Sequence, residues 1–190
     1  MADLYKNKYR IPSARLQTWD YGSNGLYFVT ICTANRECVF GDIITDPEFE
    51  FGGTRMRLND FGKIVETEWL KIIDLRPDMN LELQEYVVMP NHFHGIIYIG
   101  ENLYNENNSN AVIENSKNRF GPQTKNLASI IRGFKSAVTM YARKNNIQFS
   151  WQPRFHDHII ISNKEYQKIA DYILENPAKW QQDKFYNANV

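Results

Sequence analysis

The stretch 89–95, with the sequence MPNHFHG, offers the first side chains that could do chemistry. β-branched and aromatic residues on both sides predict two buried strands joined at a Pro-Asn turn. Residues two apart on a strand share a face, so His92 and His94 would project side by side while Phe93 points to the other face. Two imidazoles aimed at one point can bind a metal ion or act as a catalytic pair. The alternative is two histidines hydrogen-bonded at the end of a half-buried strand.

A second polar pair lies near the C-terminus. Apolar residues at helical spacing predict a helix from Asn163 to Asn176, with Ser162 or Asn163 as the N-cap and a proline after the last residue. Tyr172 and Asn176 are four residues apart and therefore lie one turn apart on the same edge of this helix. On the helix alone, the favoured interpretation is that the tyrosine is a partly buried packing residue and the asparagine a helix terminator.

A second His-x-His pair, His156 and His158, falls in the predicted last strand. These side chains would also share a face, so a zinc site formed by all four histidines of the chain is a rival hypothesis.

Three segments together resemble one family: YVVMPNHFHG at 86–95, WQPRF at 151–155 followed by His158, and DYILENP at 171–177. In this order they resemble the single-tyrosine HUH transposases (IS200-like), and within them the branch of REP-associated tyrosine transposases. The HUH signature is two histidines flanking a bulky hydrophobic residue, here Phe93. The resemblance extends over residues 9–180.

The resemblance implies a metal-dependent endonuclease and strand transferase for single-stranded DNA. It assigns His92 and His94 as metal ligands, the side-chain oxygen of Asn176 as a third ligand, and Tyr172 as the nucleophile. A tyrosine hydroxyl has a pKa near 10 and needs a metal ion or a base nearby to attack at neutral pH. The implied ion is Mg²⁺ or Mn²⁺.

Attack by Tyr172 on DNA would leave a 5′-phosphotyrosine and a free 3′-hydroxyl, so no nucleotide cofactor is expected. The alternatives are an idle DNA-binding relic of a transposase and a zinc-stabilised structural protein.

Composition limits the class of protein. The chain has 190 residues, no formal net charge and 43% hydrophobic residues, which predicts one globular domain. No apolar run is long enough for a membrane span, and no export signal opens the sequence. Cys32 and Cys38 are too few for a disulfide framework, so we expect reduced thiols and a cytoplasmic location.

Charge is unevenly distributed along the sequence. Residues 31–116 contain 6 basic and 15 acidic residues, whereas residues 117–190 contain 12 basic and 5 acidic ones. A predicted amphipathic helix from Leu127 to Asn145 carries basic side chains opposite its apolar stripe, where they could contact phosphates or simply be solvated. The candidate contacts for single-stranded or hairpin DNA are Arg10, Arg15, Lys125, Arg132, Lys135, Arg143, Arg154 and His158. The sequence does not decide between a monomer and a homodimer.

The order of predicted elements indicates an α+β fold. Strands interrupted by two long helices predict a ferredoxin-like (RRM-like) antiparallel sheet with helices packed on one face, as in HUH transposases. We expect a basic arm at 1–22, a catalytic domain at 23–180 with a mobile Asn-rich loop at 101–124, and a C-terminal tail at 181–190.

Overall fold

The computed structural model describes residues 19–45, 53–106 and 124–186. In chain order its elements are β1 (Gly25–Cys32), β2 (Gly41–Thr45), β3 (Thr54–Leu58), α1 (Asp60–Leu70), α2 (Ile72–Leu75), β4 (Leu81–Met89), β5 (His92–Ile99), α3 (Leu127–Lys144), β6 (His156–Ile160) and α4 (Asn163–Glu175). The predicted elements are therefore present and in the predicted order. Arg10, Arg15 and residues 107–123 of the predicted loop lie outside the described residues.

The central sheet has four antiparallel strands in the order β4-β5-β1-β6, and β2 pairs with β3 in a separate hairpin. Without that hairpin, the succession of strands and of the helices α1 and α3 is that of a ferredoxin-like fold. The predicted fold class is confirmed. Because β1 lies between β5 and β6, side chains from strands distant in sequence meet on one face.

The main core lies between one face of the sheet and helices α1 and α3. Trp69 of α1 is fully buried, and its ring centroid lies 4.6 Å from that of Phe93 on β5. A Cβ atom at Gly95 would lie 2.8 Å from both of these rings, so a glycine at this position allows the tryptophan to approach the strand. The residue between the two histidines thus anchors β5 in the core.

Helix α4 covers the opposite face of the sheet. Its Ile173 is fully buried in a separate apolar cluster with Ile96 of β5 and Ile160 of β6. The prediction of helices on one face holds for α1 and α3 but is wrong for α4. The physical reason is that this second face is also apolar, and the amphipathic helix α4 removes it from water.

The chain after α4 folds back onto the sheet. Trp180 and Phe185 are buried in a cluster with Cys32 of β1 and Met89 of β4. The described part of the segment expected to be a tail, residues 181–186, therefore packs on the same face as α4.

Two further expectations concern membranes and thiols. None of the described helices combines the length and the apolar character needed to cross a membrane. Cys32 and Cys38 are both free thiols.

Candidate active site

His92 and His94 lie side by side on β5, on the face covered by α4. Their side chains are 0% and 1% exposed, and their ring centroids are 4.5 Å apart. Phe93 points the other way, into the core with Trp69. The predicted division of this motif between two faces is confirmed.

Hydrogen bonds fix the orientation of both imidazoles. His92 Nδ1 lies 2.9 Å from Asn91 Oδ1, and His94 Nδ1 lies 2.9 Å from Thr30 Oγ1. Because an amide oxygen only accepts, His92 Nδ1 carries the hydrogen and its Nε2 keeps a free lone pair. That Nε2 is buried and has no hydrogen-bond partner among the described residues. Metal-binding histidines typically have their second ring nitrogen held in this way.

Burial keeps both imidazoles neutral. Loss of water around His92 lowers its pKa to about 3, and the nearby positive charges of Lys184 and Arg36 act in the same direction. The pKa of His94 is also lowered well below its usual range, first by burial and then by His92. Neutral imidazoles offer lone pairs to a metal ion at pH 7.

Tyr172 and Asn176 of α4 reach the histidine pair from above the sheet. Tyr172 Oη lies 3.2 Å from His94 Nε2, and the tyrosine ring packs edge-on against His94. Asn176, at the C-cap of the helix, is 1% exposed, and its Oδ1 has no hydrogen-bond partner in the described part of the chain. The structure thus brings the four residues of the predicted catalytic site together.

Asp183 completes this cluster, and sequence reasoning did not find it. Its Oδ2 accepts hydrogen bonds from Tyr172 Oη at 3.2 Å and from Asn176 Nδ2 at 2.9 Å, while its Oδ1 accepts one from the backbone N–H of Phe185 at 2.7 Å. The bond to Asn176 Nδ2 fixes the orientation of the amide and leaves Asn176 Oδ1 as the group without a partner. Asp183 belongs to no recognisable motif, so no local signal marks it.

The environment of Tyr172 favours its neutral form. Partial burial, followed by the negative charge and hydrogen bond of Asp183, raises the pKa of Tyr172 to about 12. At neutral pH the hydroxyl therefore keeps its proton and donates it in hydrogen bonds. A reaction of this oxygen needs an acceptor for that proton.

The donor atoms fit a divalent cation. Ligand atoms of His92, His94 and Asp183 lie within 4.8 Å of one another. A buried acceptor without a partner costs about 1–3 kcal/mol, and the site contains two, His92 Nε2 and Asn176 Oδ1. Mixed imidazole and oxygen ligands suit ions such as Mn²⁺, Zn²⁺ and Ni²⁺. A bound cation would satisfy both orphaned acceptors at once.

A groove of about 560 Å³ lies between α3 and the turn at 149–155. Arg132, Lys135 and Arg143 of α3 and Arg154 of the turn line it, so the structure brings these predicted DNA contacts together. Lys135 is already engaged, because its Nζ donates to the backbone oxygens of Gln152 and Arg154 at 2.8 Å each. Its contacts are those of a residue that holds the turn.

The other sequence candidates lie apart from this groove. Lys125 Nζ sits 3.6 Å from the centroid of the Tyr104 ring, and His158 Nε2 lies 2.7 Å from Glu165 Oε1. His156 and His158 are exposed on β6. Among the described residues, neither joins the group of ligand atoms around His92, so the four-histidine zinc hypothesis is not supported.

Comparisons with known proteins identify relatives of the chain. No family model matches it. It is 39% identical over 175 residues to an uncharacterized protein of Haemophilus influenzae, covering 92% of each chain. It is 30% identical over 108 residues to the REP-associated tyrosine transposase of Escherichia coli, covering 57% of this chain and 51% of that protein. A putative REP-associated tyrosine transposase of H. influenzae is 26% identical over 160 residues, 84% of this chain and 74% of that one.

The fold agrees with these matches. A solved structure of a REP-associated tyrosine transposase bound to a REP hairpin superimposes with a TM-score of 0.56 at 22% identity, covering 92% of this chain and 77% of that one. The chain is similar to REP-associated tyrosine transposases in sequence and in fold. The resemblance stated from the three sequence segments is therefore confirmed. In the fold these segments lie on β4 and β5, in the turn before β6 and on α4.

Proposed function

We propose that this protein is a metal-dependent enzyme that nicks and joins single-stranded DNA, with Tyr172 as the nucleophile. The observation that carries the proposal is the 3.2 Å distance between Tyr172 Oη and His94 Nε2, beside two orphaned acceptors on His92 and Asn176. A hydroxyl next to an ion site is an arrangement suited to metal-assisted attack on a phosphate. The names of the relatives support a transposase-like activity.

His92, His94 and Asn176 would hold the metal ion through Nε2, Nε2 and Oδ1, and Mn²⁺ or Mg²⁺ is proposed. A bound divalent ion would supply electrostatic stabilisation of the negative charge that develops on the phosphate. Asp183 favours a cation by its charge and orients the amide of Asn176 through Nδ2.

The chain's own residues account for the covalent step. The oxygen of Tyr172 attacks the phosphorus, the new oxygen–phosphorus bond forms and the bond to the 3′ oxygen breaks. Asp183 Oδ2 lies 3.2 Å from Tyr172 Oη and accepts the tyrosine proton, while the released 3′ oxygen takes a proton from water. The product is a 5′-phosphotyrosine with a free 3′-hydroxyl. Attack of a 3′-hydroxyl on that linkage reverses the step and joins DNA without a nucleotide cofactor.

We propose hairpin-containing single-stranded DNA as the substrate. The solved relative is bound to a REP hairpin. In this chain the groove lined by Arg132, Arg143 and Arg154 supports contacts with the phosphates of a stem.

The test is formation of a covalent adduct. The protein is incubated with a labelled single-stranded hairpin oligonucleotide and Mn²⁺, and the products are separated on a denaturing gel. We expect an adduct with the unmodified protein and none with Tyr172→Phe. Tyr166→Phe is the matched control, because it removes the same group from the same helix and should keep the adduct. Equal cleavage by Tyr172→Phe and the unmodified protein would refute the tyrosine mechanism.

One observation favours a DNA-binding protein without catalysis as the second candidate function. The pKa of Tyr172 is raised to about 12, and its hydroxyl is hydrogen-bonded to a proposed ligand atom. Hairpin binding without any adduct in the presence of Mn²⁺ or Mg²⁺ would favour this candidate.

A further inference from the structure

Two exposed, positively charged side chains that the proposed reaction does not use lie beside the aromatic ring that covers His92. Arg36 Cζ is 5.1 Å, and Lys184 Nζ is 4.8 Å, from the centroid of the Phe185 ring. The Phe185 ring centroid is in turn 4.6 Å from that of His92. Both cationic side chains are exposed, whereas Phe185 is buried. We call Arg36 and Lys184 the cation pair.

The backbone that presents the cation pair is fixed by the active site itself. Asn91 Nδ2 donates to the backbone oxygens of Arg36 at 3.1 Å and Phe185 at 2.9 Å, and Asn91 Oδ1 accepts from His92. Arg36 has a positive φ of 57°, which is unfavourable for an arginine and persists only where surrounding contacts impose it. One buried side chain therefore sets the positions of a proposed ligand and of both segments that present the pair.

The two positive charges of the cation pair lie close to a proposed cation site. Two cations beside a cation site repel the metal ion, so they do not serve metal binding by themselves. They become favourable when an anion enters with the ion. Arg36 Nη1 donates to the backbone oxygen of Lys184 at 2.5 Å, but a guanidinium has further N–H donors, and the Lys184 ammonium has three. These donors are suited to the oxygens of a phosphodiester.

We propose that Arg36 and Lys184 bind a backbone phosphate of single-stranded DNA next to the bond that Tyr172 attacks. This inference rests on the proposed function and adds positioning residues to it. The pair holds the strand beside the active site, while the reacting groups remain those described above.

The DNA test uses Lys184→Gln, because this change removes the charge but keeps the backbone oxygen that Arg36 contacts. Binding of a fluorescent, unstructured thymidine oligonucleotide is measured by anisotropy without divalent ions and at several salt concentrations. We expect the Kd to rise roughly three- to tenfold and the magnitude of the log-log salt slope to fall by about 0.7, the loss of one phosphate contact on a single strand. Lys184→Arg should retain both values.

The matched control is Lys63→Gln, which removes the same charge from α1 on the opposite face of the sheet. Its effect on Kd should be small, because Lys63 is paired with Asp60 and lies far from the proposed path of the strand. If Lys184→Gln and Lys63→Gln give the same Kd and the same slope, the proposal is overturned.

A metal measurement separates phosphate binding from a merely structural role. The affinity for Mn²⁺ alone is measured by calorimetry on the unmodified protein and on Lys184→Gln. Removal of a nearby positive charge should leave this affinity unchanged or raise it, the opposite direction from the effect on DNA. Weaker Mn²⁺ binding by Lys184→Gln would mean that the side chain supports the site structurally, and would overturn the proposal.

The DNA-binding test of the cation pair and the adduct test of Tyr172 can fail independently of each other. The binding measurements need no chemistry, so a normal adduct from Tyr172→Phe would refute the tyrosine mechanism without affecting the cation pair. Conversely, unchanged DNA binding by Lys184→Gln would refute phosphate binding by the cation pair without affecting the proposed role of Tyr172.

Discussion

Tyr172 Oη donates to Asp183 Oδ2 at 3.2 Å and also lies within hydrogen-bond distance of His94 Nε2, at 3.2 Å. If His94 Nε2 binds an ion, only the carboxylate remains to take the tyrosine proton. Asp183 also orients Asn176, so this single residue links the nucleophile to the proposed metal ligands. Asp183 could act as a proton acceptor or as a metal ligand, and these two roles predict different effects of its replacement on adduct formation and on Mn²⁺ affinity.

Replacing Asp183 by Asn tests its role. The amide can still hydrogen-bond to its neighbours but cannot take a proton, so adduct formation should slow by about 10²- to 10⁴-fold. Mn²⁺ affinity, measured by calorimetry, should fall far less than in His92→Ala, which removes a proposed ligand. His156→Ala is the control for the loss of a histidine outside the site. If Asp183→Asn and His92→Ala lose metal equally, the carboxylate is a ligand instead.

Aromatic neighbours help to bury His92, and the Phe185 ring is nearer to it than the Trp180 ring. Phe185 covers its ring, and burial lowers the pKa of His92 to about 3. In metal-free protein the NMR signals of His92 should therefore not shift between pH 8 and pH 5. In Phe185→Ala water reaches the ring, and the pKa should rise towards the ordinary value near 6.5, so that titration enters this range. Titration near pH 6.5 in the unmodified protein would contradict the described burial.

At the scale of elements, β5 carries the two histidines proposed as metal ligands on one face and the core residue Phe93 on the other. Phe93→Ala removes a fully buried ring between Trp69 and Phe134, which should lower the free energy of unfolding by about 3–5 kcal/mol. Urea denaturation measures this change. Leu75→Ala is the control, since that side chain is 65% exposed and its loss should cost at most about 0.5 kcal/mol. Similar values for the two variants would contradict the anchoring role of Phe93.

The elements were predictable from sequence because their signals are local. Strand periodicity places His92 and His94 on one face, and helical spacing places Tyr172 and Asn176 on one edge. The roles of Lys135 and Asp183 could not be predicted in this way. Lys135 lies on the basic side of α3, yet its partners are carbonyls of a turn more than fifteen residues later. The position of Asp183 depends on the packing of Trp180 and Phe185, which follows no repeating pattern.

At the scale of the molecule, the two faces of the sheet have different proposed contacts with DNA. The proposed reacting groups and the cation pair lie on the α4 face, whereas the groove with Arg132 and Arg143 borders α3 on the other. The turn at 149–155 connects them, since it forms one wall of the groove and leads into β6, where His156 pairs with Thr30 next to His94. A strand leaving a stem in the groove could follow this route to the active site.

This division predicts different effects on two kinds of DNA. Arg143→Gln should raise the Kd for a hairpin oligonucleotide by roughly threefold and leave the Kd for an unstructured thymidine oligonucleotide unchanged. Lys184→Gln should raise both. Anisotropy measures each Kd, with Arg57→Gln on β3 as a control for the loss of an arginine charge. An equal effect of Arg143→Gln on both oligonucleotides would contradict a stem contact in the groove.

The central claim is that Tyr172 becomes covalently linked to DNA, and mass spectrometry tests it most directly. The adduct formed with Mn²⁺ is trimmed with a nuclease, digested with a protease and sequenced by fragmentation. We predict a nucleotide attached through its 5′ phosphate to the side chain of Tyr172. A nucleotide on any other side chain, or an adduct formed equally well by Tyr172→Phe, would contradict it.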